Sequence, residues 1–369
     1  MKNNRQFSSK NATLLALTLT ALTLSPLDEA YAFTWFECND TGKPMVWSNS
    51  TVRLYLSENN FPAGSEANKK AQYAMSAWNR VGGSGVFFRF GRYPLPITVF
   101  GNGRNEIAYE HKPEESYLAV THLVGSCSAD ANSIDEADVI LNSRYTYTTA
   151  NYTGADFSPP AASQELVLLH ELGHVLGLGH YNTRLATMNT LYPGGGTLGY
   201  FNWAEPHGDD RRGVRIFYPD ATTERNVSAS RFQKGKDIEG ATDLNNVLLT
   251  VVPVGSPTLR LRRGERYEIE YTVENLGTQV EVPKVNFYLS RLPSVSVDSP
   301  VVTYLGSSSW IMSAGTTVTA KRSMIVPADQ PLGKYYVGYI VDPDKLIPEI
   351  NEHDNALSLL RKVDILPAL

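Results

Sequence analysis

Cysteine is scarce in this chain: Cys38 and Cys127 are the only two in 369 residues. Two thiols allow one bridge and no disulfide framework. A basic excess is also missing, because the formal net charge is −5. That excludes the positive footprint of a nucleic-acid binder. No stretch approaches the roughly 20 apolar residues that cross a bilayer as a helix. Charged residues make up only 19% against 42% hydrophobic ones. That balance excludes a disordered chain and fits a globular protein with one large domain or two ordinary ones.

The amino terminus reads as a targeting segment. Lys2, Arg5 and Lys10 form a positive stretch, and Ala12 to Leu24 is an apolar run too short to span a membrane. Ala30-Tyr31-Ala32 is a small-x-small cleavage site. Residues 1–32 are therefore expected to be a signal peptide, and the mature chain to begin at Phe33 and to be secreted, extracellular or periplasmic. In an oxidising compartment Cys38 and Cys127 are expected to pair. The loop they close is long, so the bridge stabilises by up to about 4–5 kcal/mol in the chain-entropy model. Two free thiols are the alternative.

From Phe33 to about Asp220 strands and helices mix. Residues 51–56 alternate like a strand, and Ser65 is a helix N-cap followed by Ala71, Ala74, Ala77 and Trp78 at helical spacing. Residues 87–90, 96–100, 117–124 and 138–141 read as short strands. Ser163 caps a second helix through Leu166, Leu169, Leu172 and Leu176. A third starts near Asp209-Asp210, acids suited to a helix N-terminus, and stops at Pro219. Residues 220–246 are polar and aperiodic, and read as a linker. From Val247 to the end the texture is all-β, with Tyr267, Ile269, Tyr271 and Val273 alternating with polar residues and glycines between the strands. An antiparallel sandwich of about 120 residues is expected.

The decisive segment is His170-Glu171-Leu172-Gly173-His174-Val175-Leu176-Gly177-Leu178-Gly179-His180. Residues four apart on a helix share a face, so His170 and His174 can aim at one ion. A straight helix would carry residue 180 nearly three turns away. Gly177 lets the chain turn, which brings His180 back as a third ligand. Three neutral imidazoles select zinc over magnesium or calcium. Three protein ligands leave a fourth position open, the arrangement of a catalytic site. Glu171 lies beside them and can act as general base. Chance assembly of this pattern in a chain with 7 histidines is of order one in 10⁵.

The segment resembles the signature of the metzincin zinc endopeptidases, and the region 34–219 is most similar to matrixins, the peptidase M10 type. Tyr181 after the third histidine and the segment Asp209 to Tyr218 carry that likeness. The resemblance implies an α+β catalytic domain over residues 33–219, with a twisted mixed sheet and three helices. It implies hydrolysis of protein or peptide substrates by zinc-activated water, with Glu171 as base. It implies a turn beneath the metal, here Leu185-Ala186-Thr187-Met188-Asn189, in which Met188 is an apolar floor and not a ligand. Matrixins also bind calcium, for which Asp130, Asp135, Glu136 and Asp138 are the candidates; a solvated acidic loop is the alternative. Their mature amino terminus can pair with an aspartate of the closing helix, here Asp209 or Asp210. A Cys38 thiolate blocking the zinc is a rival reading of that cysteine.

Residues 247–369 resemble the bacterial CARDB modules. Val273-Glu274-Asn275-Leu276-Gly277, Phe287-Tyr288-Leu289-Ser290, Gly333-Lys334-Tyr335-Tyr336 and Ile350-Asn351-Glu352-His353-Asp354-Asn355 carry that similarity. It implies an immunoglobulin-like β-sandwich that holds the protease on a surface or matrix, or that serves as a spacer. The competing function for the whole chain is a non-catalytic secreted adhesin whose zinc is structural.

Overall fold

The computed structural model describes residues 33–37, 43–127, 132–149, 161–181, 186–189, 205–231, 259–292, 295–296, 302–358 and 362–369. Residues 1–32, Cys38, Asp130 and Leu185 lie outside the described residues. Ala32–Leu369 form one compact unit. Within it lie two large apolar cores, one in each half of the chain.

The first half runs β1 (Thr34–Trp35), β2 (Val46–Trp47), β3 (Thr51–Ser57), α1 (Glu66–Asn79), β4 (Phe87–Tyr93), β5 (Asn105–Glu110), β6 (Ala119–Cys127), β7 (Asn132–Asn142), β8 (Thr146–Thr148), β9 (Ala161–Ser163), α2 (Gln164–Val175), β10 (Leu178–Gly179) and α3 (Gly208–Phe217). Its main sheet has the order β2-β7-β5-β3-β4 with parallel pairings, and β6 joins β7 antiparallel. The sheet is thus mixed, as expected. Alternation along β3 puts Val52, Leu54 and Leu56 into the core. The α1 face of Ala71, Ala74, Met75 and Trp78 meets α2, and Trp78 Nε1–H donates to Leu169 O at 2.9 Å. Ser65 and Ser163 both cap as the sequence implies, accepting from Asn68 N and Leu166 N.

One expected strand does not form. Residues 96–100 are irregular, because side chains take the donors that a ladder would have used. Glu110 accepts from Thr98 N at 2.9 Å, Glu106 accepts from Val99 N at 2.7 Å, and Glu136 accepts from Gly101 N and Gly103 N at 2.5 Å each. On the side away from β4, β3 pairs with β5, which begins at Asn105.

The second half contains β11 (Val227–Arg231), β12 (Leu259–Arg262), β13 (Arg266–Asn275), β14 (Lys284–Ser290), β15 (Val302–Ser309), β16 (Thr317–Ile325), β17 (Gly333–Val341), β18 (Ala356–Ser358) and β19 (Val363–Leu366). One sheet is β11-β13-β16, and the other is β12-β19-β17-β14-β15 with β18 on β17. Their inward residues share one core: Ile269, Tyr271 and Val273 from the first sheet meet Phe287, Val337 and Tyr339 from the second. Two expectations are corrected. The β12–β19 pairing is parallel, so the arrangement is not wholly antiparallel. The segment 220–246 is not a free linker at its start: 227–231 is β11, paired antiparallel to β13, while 232–246 lie outside the described residues.

The two halves meet at α3. Arg215 donates to Gly82 O (2.7 Å) on one side and to Leu276 O (2.8 Å) and Gly277 O (2.9 Å) on the other. It also pairs with Glu224 at 2.6 Å, and the buried Arg211 reaches Glu224 and Glu205. Glu274 of β13, only 1% exposed, sits at the start of α3. Burial alone would raise its carboxyl. The charge of His207 and hydrogen bonds from His207, Ser230 and Gly208 outweigh burial and hold it down at about 2. A depressed carboxyl adds stability above the unfolded value near 4.5, and that stability is lost as pH falls toward 2. Denaturant midpoints at pH 5 and pH 3 should therefore fall more in wild type than in Glu274→Gln, which has no such carboxylate to lose.

Candidate metal centre

The ligand geometry begins with the ends of α2. Its last carbonyls have no partners within the helix. Trp47 Nε1–H donates to Val175 O (2.8 Å) and Tyr218 O–H to Leu176 O (3.0 Å), so aromatic side chains from both flanks close this end. The chain then turns at Gly177, whose φ of 91° lies in the left-handed region. A Cβ there would meet Met45 O at 2.3 Å. The turn delivers Leu178–Gly179 as β10, which pairs with β1 in the register Thr34↔Gly179. Thr34 Oγ1–H donates to His180 O at 2.7 Å and fixes the third histidine.

The three imidazoles converge. His170 Nε2 lies 3.1 Å and His174 Nε2 3.0 Å from His180 Nε2. Nδ1 of His170 is 2.8 Å from Thr187 O, and Nδ1 of His174 is 2.8 Å from Leu178 O. A carbonyl partner requires each Nδ1 to carry the proton, so both Nε2 atoms present lone pairs to the centre. His180 Nε2 can donate to at most one of them. The donor set therefore fits a cation held between three nitrogens. Burial holds His170 at about 4 and His174 well below the ordinary histidine value, and it lowers His180 as well. Burial thus favours, at all three, the neutral form a metal needs. His174 is 6% exposed, whereas His180 is open to solvent, so the centre has a buried and an accessible side. Among the described residues this is the one His/Cys/Asp/Glu group of metal-holding geometry.

Glu171 is 5% exposed, and its carboxylate accepts from Thr121 Oγ at 2.7 Å. Burial raises it to about 7, partly offset by that hydrogen bond. Thr121 lies on β6, so the sheet orients the glutamate.

Residues 186–189 pack against α2 and His170. Met188 is buried, Tyr181 N–H donates to Met188 O at 2.9 Å, and Thr187 sits behind His170. Gly173 leaves the room for it: a Cβ at 173 would come within 2.2 Å of Met188 Sδ. Gly173→Ala should cost about 1–3 kcal/mol through overpacking. Urea denaturation should show Gly173→Ala/Met188→Ala losing less than the sum of the single losses, since the two atoms compete for one space.

Asp210, 1% exposed, organises this turn from α3. It accepts from Thr187 N (2.6 Å), Met188 N (3.2 Å) and His207 N (3.2 Å). Asp210 is thus committed to the turn. Phe33 is buried against Phe217 and beside Gly213, under β10. Thr121, Thr187 and Asp210's bond to the turn were not legible in the sequence.

The acidic set is divided. Asp135 is exposed and accepts from Ser126 and Ser133. Glu136 and Asp138 are buried; Glu136 holds the 101–103 loop, and Asp138 accepts from Glu106 N at 2.8 Å. The pairing of β7 with β6 shifts register at Asp135, and among the described residues Asp135, Glu136 and Asp138 are not brought together as a metal-holding group. Cys127 is disulfide-bonded, and the chain's other cysteine, Cys38, lies outside the described residues.

Residues 46–219 match the family model described as Matrixin, and residues 249–359 match the one described as CARDB. The chain pairs a matrixin domain with a CARDB domain. The matrixin domain is that of a metallopeptidase, and its family is zinc-dependent. Comparison with curated proteins gives no match. Among solved structures, a crystal structure of a Pyrococcus furiosus CARDB domain in complex with di-metal ions is 17% identical at a TM-score of 0.23, covering 30% of this chain and 87% of that one. The solution structure of the same domain is 20% identical at 0.23, with the same coverage. A β-glucosidase from Listeria innocua is 12% identical at 0.22, covering 41% of this chain and 17% of that one.

Proposed function

We propose that the chain is a secreted zinc endopeptidase that cleaves protein substrates. The observation carrying this reading is the convergence of three imidazole nitrogens beside a buried, oriented carboxylate. His170, His174 and His180 hold the ion, with Thr187 O and Leu178 O fixing two of the rings. When bound there, zinc supplies Lewis-acid polarisation of the scissile carbonyl and acidifies water at the site. Glu171 takes the proton from the attacking water and returns it to the leaving amine. Thr121 keeps the Glu171 carboxylate turned toward that water. β6 pairs with β7 on one edge. Its other edge can receive an extended peptide by strand addition, which places a main chain beside Glu171.

Secretion is supported by the n-region, apolar run and cleavage site in residues 1–32, and by the bonded state of Cys127, which suits an oxidising compartment. The two sheets around one core support the immunoglobulin-like reading of the CARDB domain. Anchoring on a surface or matrix is the role we assign to that domain's exposed faces. No helix of the described residues is long and apolar enough to cross a membrane.

The test is cleavage of an unfolded protein by wild type, by Glu171→Ala and by chelated enzyme. The reading expects activity in the first alone. Wild-type inactivity, or activity that survives both treatments, would favour a structural zinc in a non-catalytic adhesin.

A further inference from the structure

The CARDB domain is linked to the metal centre by hydrogen bonds joined through the first turn of α3 and Thr187. Glu274 Oε1 accepts from Gly208 N at 3.1 Å and from Thr317 Oγ at 3.2 Å. Its Oε2 accepts from Ser230 Oγ at 2.7 Å and lies 2.9 Å from His207 Nδ1. His207 and Gly208 form the first turn of α3, so a carboxylate from the second half of the chain closes that helix's amino end. The same turn carries Asp210. Asp210 accepts from Thr187 N, and the carbonyl of Thr187 takes the Nδ1 proton of His170. One residue, Thr187, therefore links the ligand His170 to an acid on the helix whose first turn Glu274 holds. Gly208 also packs directly on the CARDB backbone: a Cβ there would meet Gly315 O at 3.2 Å.

This contact is not an ordinary surface pair. Both oxygens of Glu274 are engaged by donors from α3, β11 and β16, and the residue is buried. A buried carboxylate left without such donors would be costly, so the first turn of α3 and the strand carrying Glu274 are fixed together.

Resting on the zinc peptidase reading, we propose that Glu274 of the CARDB domain is a positioning residue for the zinc site, acting through Gly208, Asp210 and Thr187 on His170. The CARDB domain is then part of the catalytic unit as well as an attachment module. Partners that orient a histidine ligand commonly change metal affinity or activity by about 10–100-fold when removed. Glu274 acts one step further out, so an effect near the lower end is expected.

The experiment uses the full-length, zinc-loaded protein. Glu274→Ala, Glu274→Gln and Ile269→Val are compared; Ile269 lies on the same strand, buried in the CARDB core and away from α3. Three quantities are read: zinc release to a chelator, kcat and KM on a peptide, and the visible spectrum of the cobalt-substituted protein. For Glu274→Ala the expectation is about tenfold faster zinc release and about tenfold lower kcat, with KM within about twofold and a shifted cobalt spectrum. Glu274→Gln should fall between it and wild type, and Ile269→Val should leave all three unchanged despite its lower melting temperature. Should Glu274→Ala fail to fold, Ser230→Ala and Thr317→Ala, which each remove one donor, carry the test with smaller shifts in the same direction. A folded Glu274→Ala with wild-type zinc release, kcat and spectrum would overturn the proposal, as would equal changes in Ile269→Val. Wild type that binds zinc but cleaves nothing would instead sink the peptidase reading, while zinc release and the cobalt spectrum would still report on Glu274.

Discussion

Glu171→Gln should leave zinc binding intact and lower kcat by about 10²–10⁴-fold, the range of a lost general base. The amide keeps the size of the carboxylate and can still accept from Thr121 Oγ, so the α2–β6 contact survives. It cannot take a proton from water. KM should change little, because the carboxylate acts on the proton and not on substrate binding. The measurement is steady-state cleavage of a fluorogenic peptide alongside metal analysis. A variant that loses zinc together with activity would show Glu171 to be structural. One that keeps more than about a tenth of wild-type kcat would remove it from the base role.

His174→Ala should have the larger effect on the metal. His174 is the most enclosed of the three ligands, with Nδ1 fixed by Leu178 O and Nε2 at 3.0 Å from His180 Nε2. Structural zinc sites with four ligands bind with roughly 10–16 kcal/mol, so one ligand is worth about 3–4 kcal/mol, or a factor of roughly 10²–10³. Zinc titration against a competing chelator should show that loss. Activity at stoichiometric zinc should be undetectable. The helix itself should persist, because Val167, Leu168, Leu172 and Val175 still fill the core around Met188. Circular dichroism close to wild type is the expected companion result.

The parts of the fold that depend on local pattern were legible. Ser65 and Ser163 marked helix starts by side-chain capping, and strict alternation at 51–56 and 267–273 marked strands. The convergence of His170, His174 and His180 was legible because a helix period and a glycine turn suffice to aim three histidines at one point. The residues that support them were not. Thr121, Thr187 and Asp210 are chemically ordinary, and only the tertiary arrangement puts them against Glu171, His170 and the Met188 turn. Residues 96–100 look like a strand by composition, yet carboxylates of β5 capture the amides of Thr98 and Val99, and Glu136 of β7 holds the turn that follows. β15 carries little strand signal of its own, with Gly306 and three serines in eight residues, and its pairing with β14 makes it a strand. In the sequence Glu274 is only one residue of the CARDB likeness. Its role depends on a contact with α3, which lies 57 residues or more away in the chain, so no local pattern could reveal it.

The most direct measurement is a zinc back-titration of chelated, full-length protein, following cleavage of an unfolded substrate. The account predicts no activity in the apo protein, a linear rise with added zinc and a break at about one equivalent per chain, as three protein ligands around one ion require. Activity in the apo protein equal to that of the untreated enzyme, or zinc bound at one equivalent with no cleavage at any point, would contradict it.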